Sequence, residues 1–238
     1  MPADPLLLHC PNGTGPGIDD FFFKTLVPRL SGCSSAQGTQ GIEVITYNNG
    51  RTPFPVERQL VKMQVPHRVL ARDEQPWRWS IKINSLYDFL RNRAGSTDLV
   101  MIIDGNDTIF TRFPSLSEIT LTIARYAPAQ IVFCATPSNW PPHFGCRQYE
   151  RALYPRPFCH LSAGAFVGSI SAIVAALDWI RKRMPTGAFN RPGGGFDDQL
   201  AWRLAHFAAP VPIAIDSSCQ VFKRCGEWLL DHETLGRQ

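Results

Sequence analysis

The sequence predicts an α/β fold built on a mostly parallel central sheet flanked by helices, and three observations carry that expectation. Short apolar runs alternate with longer stretches of helical spacing, the pattern of strands and crossover helices. The run Leu99-Val-Met-Ile-Ile is apolar at every position, as a strand buried on both faces must be. At 238 residues and 44% hydrophobic content, the chain is long enough for one sizeable core. No internal repeat, low-complexity segment or linker interrupts it, so a single domain over residues 1–238 is expected.

Taken in order, the expected strands are Leu6–His9, Glu43–Tyr47, Arg68–Leu70, Leu99–Ile103, Gln130–Cys134, Ala165–Gly168 and Ile213–Ile215, each a short apolar or β-branched run. Helical spacing covers Asp19–Leu30, Trp79–Asn92, Leu116–Tyr126, Ser169–Arg183 and Asp197–Phe207. Two segments, Thr136–Phe158 and Pro185–Phe196, are rich in Pro, Gly and aromatic residues and read as long loops, with Pro192-Gly-Gly-Gly195 as a local hinge. In open α/β sheets ligands bind at the carboxyl ends of the strands, so chemistry is expected there.

Composition narrows the partners. The formal net charge of +4 comes from scattered residues without a Lys/Arg stripe, which suits an anionic small ligand better than nucleic acid. No stretch approaches the roughly 20 apolar residues of a transmembrane helix. Met1–Leu8 has neither the basic start nor the apolar length of a signal peptide, which favours the cytoplasm. Seven cysteines without a C-x-x-C pair point to buried thiols, with a Cys146–Cys159 bridge as an option in an oxidising compartment.

The strongest chemical signal is the strand Leu99–Ile103 running into Asp104-Gly-Asn-Asp107. Two carboxylates at one strand end repel unless a cation neutralises them, and Mg²⁺ or Mn²⁺ takes hard oxygen ligands and bridges to phosphates. The alternative is that both aspartates start a turn. A second pair, Asp197-Asp198, precedes a helix that needs only one N-cap, which leaves the other carboxylate for a sugar hydroxyl or acid/base chemistry. Between them, Leu161–Gly168 is a run of small residues, read equally as close backbone approach to a ligand or as tight strand packing. The histidines lack a paired ligand spacing; Trp140 and His143, beside Pro141-Pro142, are read as an acceptor wall or as a loop pinned by its Trp.

In this order the segments Lys82, Asp104 with Asp107, Trp140-Pro141, Leu161–Gly168, Asp197-Asp198-Gln199, and Ile215-Asp216 with Val221-Phe222 resemble the glycosyltransferase domain of the procollagen lysyl hydroxylase family. The resemblance covers roughly residues 75 to 225. It implies a GT-A type fold, a UDP-sugar donor, Mn²⁺ (or Mg²⁺) and a hydroxyl acceptor. It places Asp104 and Asp107 on the metal, and Asp197 and Asp198 at the transferred sugar. Thr46, Trp77, Lys82, Asn106, Ser162 and Gly164 fall around the donor. The family's late histidine ligand has only an off-spacing counterpart in His232, so water is expected to complete the metal site. Where the family carries an aromatic residue before its second metal aspartate this chain has Asn106, which shifts base stacking towards Trp77 or Tyr47.

Overall fold

The computed structural model describes residues 7–9, 42–94, 98–105, 108–110, 113–183 and 197–224. The expected helix Asp19–Leu30, the Pro185–Phe196 loop, Asn106, Asp107 and His232 lie outside the described residues.

The described strands are β1 (Leu7–His9), β2 (Ile42–Tyr47), β3 (His67–Leu70), β4 (Leu99–Ile103), β5 (Thr108–Phe110), β6 (Ile131–Thr136), β7 (His160–Ser169), β8 (Ile213–Ile215) and β9 (Phe222–Arg224). The described helices are α1 (Pro55–Lys62), α2 (Trp79–Leu90), α3 (Leu116–Arg125), α4 (Phe144–Leu153), α5 (Ile170–Arg183) and α6 (Asp198–Ala208). The class is α/β, and the main sheet is six-stranded and mixed, in the order β3-β2-β4-β7-β6-β8. β2 pairs in parallel with β3 and β4, and β6 with β8, whereas β7 runs antiparallel to both β4 and β6. A small second sheet has the order β5-β1-β9.

Alternation along the central strands divides the core in two. Ile45, Val100, Ile102, Ile131 and Phe133 point to one face, where Ile83, Leu86 and Leu90 of α2, Ile173 and Leu177 of α5, and Ala201 and Trp202 of α6 cover them. Val44, Met101, Ile103, Val132 and Cys134 point to the other, against Val56 and Leu60 of α1, Ile119 of α3, Phe110 and Phe222. Both faces of β4 are therefore dry, which is why its sequence is apolar throughout.

Two helices fall where the sequence reading expected none. α4 lies inside the stretch read as the Thr136–Phe158 loop; it buries only Cys146 and Glu150, and the Pro, Gly and aromatic residues around it are what read as loop. Its N-cap is His143, whose Nδ1 accepts the Cys146 N–H at 3.1 Å. α1 is short and turns only Val56, Glu57 and Leu60 inward. By contrast, α3 begins with a reciprocal capping box: Ser115 Oγ accepts from the Glu118 N–H at 3.2 Å, and the Glu118 carboxylate accepts from the Ser115 N–H at 2.9 Å.

β7 extends over residues 160–169, well beyond the expected Ala165–Gly168, and its register on β6 shifts between Phe133 and Cys134. Gly168 shows why small residues are needed there: a Cβ at this position would lie 2.7 Å from the Gln130 carbonyl oxygen and 3.0 Å from the Ile131 Cα. Both obstacles are backbone, so strand packing accounts for this glycine. Gly168→Ala is expected to destabilise the fold by about 1–3 kcal/mol, read as a lower urea midpoint; an unchanged midpoint would refute the close packing of β7 on β6.

Candidate functional site

The site lies where β2 and β4 run out at their carboxyl ends. A cavity of about 390 Å³ opens there between the β2 end, the start of α2 and the turn after β4. Tyr47, Phe54, Trp77 and Trp79 form aromatic walls, and Asn48, Lys82 and Asp104 supply polar groups. A few polar groups set in a largely aromatic concavity is the composition of a small-molecule site.

Three charged side chains meet at this point. Lys82 Nζ lies 2.7 Å from Asp104 Oδ1 and 2.7 Å from Asp198 Oδ2, so one ammonium joins the β4 end to the start of α6. The Lys82 side chain is only 8% exposed and that of Asp198 7%, against 27% for Asp104, the member open to the cavity. The Tyr47 and Trp79 rings stand 5.5 and 5.8 Å from the ammonium and add cation–π contacts. Burial disfavours the charged amine, but the two carboxylates outweigh it and hold the Lys82 pKa above its ordinary value. Burial likewise raises the Tyr47 phenol, which stays protonated at neutral pH.

Each partner is placed by a separate packing element. Lys82 shares the inward face of α2 with Ile83, Leu86 and Leu90. Asp198 lies one helical turn before Trp202 on α6, and Trp202 is locked by the Phe133 and Phe166 rings at centroid distances of 5.1 and 5.0 Å. The Asp104 N–H donates to the Gly164 carbonyl at 2.8 Å, which fixes the β4 exit against β7. A Cβ on Gly105 would come within 2.3 Å of the Tyr47 carbonyl oxygen, so the turn after β4 tolerates no side chain at that position.

The rim after β2 is tied down by Glu57, a residue the sequence reading passed over. Its buried carboxylate accepts from the Phe54 N–H at 2.9 Å and from the Asn48 amide, and pairs with Arg72. Arg72 also donates to the Gly50 carbonyl at 2.8 Å. Nothing in a single sequence links Glu57 to Arg72 except that a charge inside a helix face needs a partner once buried.

The expected site residues separate into groups. Lys82, Asp104 and Trp77 line the cavity, and Asp198 joins them through its ion pair with Lys82. Asp197 takes the capping role: its Oδ1 accepts the Leu200 N–H at 2.8 Å, and burial, opposed by that bond, pushes its pKa up to about 6. Gly164 contributes its carbonyl to Asp104. Thr46 and Ser162 are buried, and their hydroxyls find no hydrogen-bond partner among the described residues. Ser162 pairs across the strands with Cys134, whose side chain belongs to the core on the face away from Lys82. Asp104, expected on a divalent cation, also has a partner within the chain, the Lys82 ammonium. Among the described residues no group of three or more His, Cys, Asp or Glu side chains is arranged to hold a metal.

The Trp140 loop is not pinned by its tryptophan. Trp140 is 54% exposed and pins nothing. The loop is gripped through its backbone and a side-chain amide: Gln199 donates to the Trp140 carbonyl, and Arg203 donates to the Pro141 carbonyl at 2.6 Å and to Asn139 Oδ1 at 2.7 Å. Arg203 is fully buried and balanced by Glu150, whose Oε1 and Oε2 accept from it at 2.9 and 2.7 Å. His160 Nδ1 is a further 2.7 Å neighbour of Glu150. Burial notwithstanding, these contacts hold the Glu150 carboxyl below its usual range. His143 and His160 are thus structural, and Cys146 and Cys159 are free thiols.

No protein-family model matches the sequence, and a search of curated proteins finds no match. Among solved structures the chain is similar to A197 from STIV, at 12% identity and a TM-score of 0.40, covering 74% of this chain and 82% of that one.

One experiment tests the site and a second the packing of α6 on α4. Gly105→Ala is expected to abolish ligand binding in the cavity, because the added methyl forces the Asp104 turn away from β2; binding at the native level would show that the turn is adaptable. His206, 2% exposed and with neither ring nitrogen bonded among the described residues, has its pKa pushed down to about 4 by burial. The folded chain therefore binds fewer protons at His206 than the unfolded chain, and its stability falls as pH drops from about 6.5 to about 4. Asp197 acts in the opposite sense, so the two must be separated. His206→Leu is expected to remove an acid sensitivity on the order of 2–3 kcal/mol, read as a flatter dependence of unfolding free energy on pH than in the native chain. Parallel pH curves would show that the imidazole is not buried in its neutral form.

Proposed function

We propose that the chain is a glycosyltransferase that moves a hexose from a UDP-sugar to a hydroxyl acceptor with the help of Mn²⁺ or Mg²⁺, on a fold of the GT-A type. The observation that carries the reading is the meeting of Asp104 at the β4 end, Lys82 and Asp198 beside an aromatic-walled cavity. The mixed order of the sheet is in keeping with it, as is the resemblance of these segments to the procollagen lysyl hydroxylase glycosyltransferase domain.

The donor set suits a hard cation in part: Asp104 presents a carboxylate at the cavity, and phosphate and water oxygens supply the kind of ligands that Mg²⁺ and Mn²⁺ also take. Asp107 is the second protein ligand in this reading. The metal, when bound, would offset charge that develops on the departing nucleoside diphosphate. The remaining roles belong to the chain itself. Trp77, Trp79 and Tyr47 stack on the nucleoside and exclude water from the phosphates. Lys82, kept cationic by its carboxylate partners, is a second positive group for the leaving diphosphate. Asp198 accepts hydrogen bonds from hydroxyls of the transferred sugar and orients it, with Asp197 holding the start of α6 in place. The Trp140 loop, joined to α6 by Gln199, borders the acceptor side, where an exposed indole offers a face for a sugar ring. Among the described residues no helix is long and apolar enough to cross a membrane, and the buried thiols Cys146 and Cys159 favour placing the reaction in the cytoplasm.

A second reading, a UDP-sugar-binding module without turnover, draws on the same ion pairs, because the Lys82 ammonium engages both carboxylates. Release of UDP from a panel of UDP-sugars with Mn²⁺ separates the two. Turnover is expected in the native chain. Asp104→Asn is expected to reduce it by at least about 100-fold while the melting temperature stays within a few degrees, since Lys82 keeps Asp198 as partner. Binding of UDP with no release from any UDP-sugar would select the module, and neither binding nor release would defeat both readings.

A further inference from the structure

The outward face of α4 and the adjoining end of α6 carry side chains that neither the core nor the cavity uses. Phe144, the first residue of α4, is 74% exposed, and Phe207, in the last turn of α6, is 48% exposed. The two rings belong to one patch: a Cβ on Gly145 would stand 3.8 Å from Phe207 Cζ, and Tyr149 of α4 meets the Phe207 ring edge-on at a centroid distance of 5.4 Å. Ala208, Ala209 and Pro210 follow and are exposed as well. Aromatic rings left side by side in water forgo the gain of burial, which marks such a patch as a contact surface.

Positive charge runs along the same face. Phe144, Arg147, Gln148 and Arg151 recur at spacings of three and four and are exposed, opposite the buried Cys146 and Glu150. Neither Arg147 nor Arg151 forms an ion pair among the described residues. Arg151 also reaches the Cys159 thiol, a neutral group that leaves its charge uncompensated. From Asn139 to Cys159 and from Gln199 to Ile215 the sole acidic residue is Glu150, which is buried and taken up by Arg203 and His160. These two segments therefore offer rings and guanidinium groups to solvent without an exposed carboxylate.

That combination selects the partner. Arginines in a row attract an anionic surface, and rings beside them can enter the apolar layer under the headgroups, as amphipathic helices do when they lie in the plane of a membrane. A single nucleic-acid strand would need a charged groove to follow, with bases stacked along it. α4 buries only Cys146 and Glu150, so it stands as a ridge, with its rings gathered at one end. We infer that the α4–α6 end of the molecule docks on an anionic lipid bilayer, with Phe144 and Phe207 inserted at headgroup level and Arg147 and Arg151 paired with the acidic headgroups. The contact is peripheral, since two rings fall far short of an apolar span. The inference does not depend on the glycosyltransferase reading, because none of these four side chains lines the cavity beside β2 and β4.

Co-sedimentation with vesicles tests it. The native chain is expected to bind phosphatidylcholine vesicles that carry about one third phosphatidylserine at least about tenfold more strongly than vesicles of phosphatidylcholine alone. Phe144→Ser is expected to weaken that binding by at least about fivefold, and Arg147→Gln combined with Arg151→Gln to abolish the preference for phosphatidylserine. Leu121→Ser, which changes a 61% exposed residue of α3 on the other side of the sheet, is expected to bind as the native chain does. Absence of native binding to the anionic vesicles, or native-level binding by the Phe144 and arginine variants, would overturn the inference. Binding that falls with the arginine changes but is indifferent to both Phe144→Ser and Phe207→Ser would overturn it too, as adsorption by charge alone. Tighter binding to single-stranded RNA than to the vesicles would give the face to nucleic acid. Thermal melts confirm that the variants fold; should Phe207→Ser not fold, because its ring also packs on Tyr149, Phe144→Ser decides.

Discussion

Three chain segments that are far apart in sequence converge on one ammonium group. Lys82 ties the end of β4 to the start of α6 through Asp104 and Asp198, and the rest of the cavity rim, after β2, is tied to Glu57 of α1. A buried lysine between two carboxylates is costly to desolvate, and removing either partner type would leave a charge without compensation in a dry place. Such a group contributes more to the uniqueness of the arrangement than to its net stability, and here that uniqueness is what sets a charge centre beside aromatic walls.

The hydrophobic core supports this centre from both sides. The Phe133, Phe166 and Trp202 rings pack in mutual contact, with Phe133 and Phe166 stacked at 4.4 Å, and they fix α6 on the sheet one turn beyond Asp198. On the opposite face α1 and α3 close the sheet, and Glu57 reaches from α1 to the rim after β2. Each polar device at the site is therefore mounted on an element whose own place is decided by apolar packing.

Much of this scaffold was legible in the sequence because its cause is local. β4 announces itself by an apolar residue at every position, and α5 and α6 by their inward stripes. Asp104 could be placed at a strand's end for the same reason, and the need of α6 for one cap correctly left one aspartate over. What was not legible depends on distant partners. α4 is set among prolines, glycines and aromatic residues that read as loop, and the direction of β7 follows from its neighbours, since a run of small residues suits either sense. That Lys82 pairs with Asp104, and that Ser162 turns to the far core, are facts of tertiary register that residue spacing does not encode.

The grip on residues 139–141 has a consequence for how such a protein can diversify. Gln199 and Arg203 seize carbonyl oxygens at positions 140 and 141, and carbonyls are present whatever residue stands there. The indole of Trp140 is thus freed from any duty of anchorage. Its position can drift to other side chains without loosening the strap, and that surface can be rewritten while the cavity beside β2 and β4 is left undisturbed.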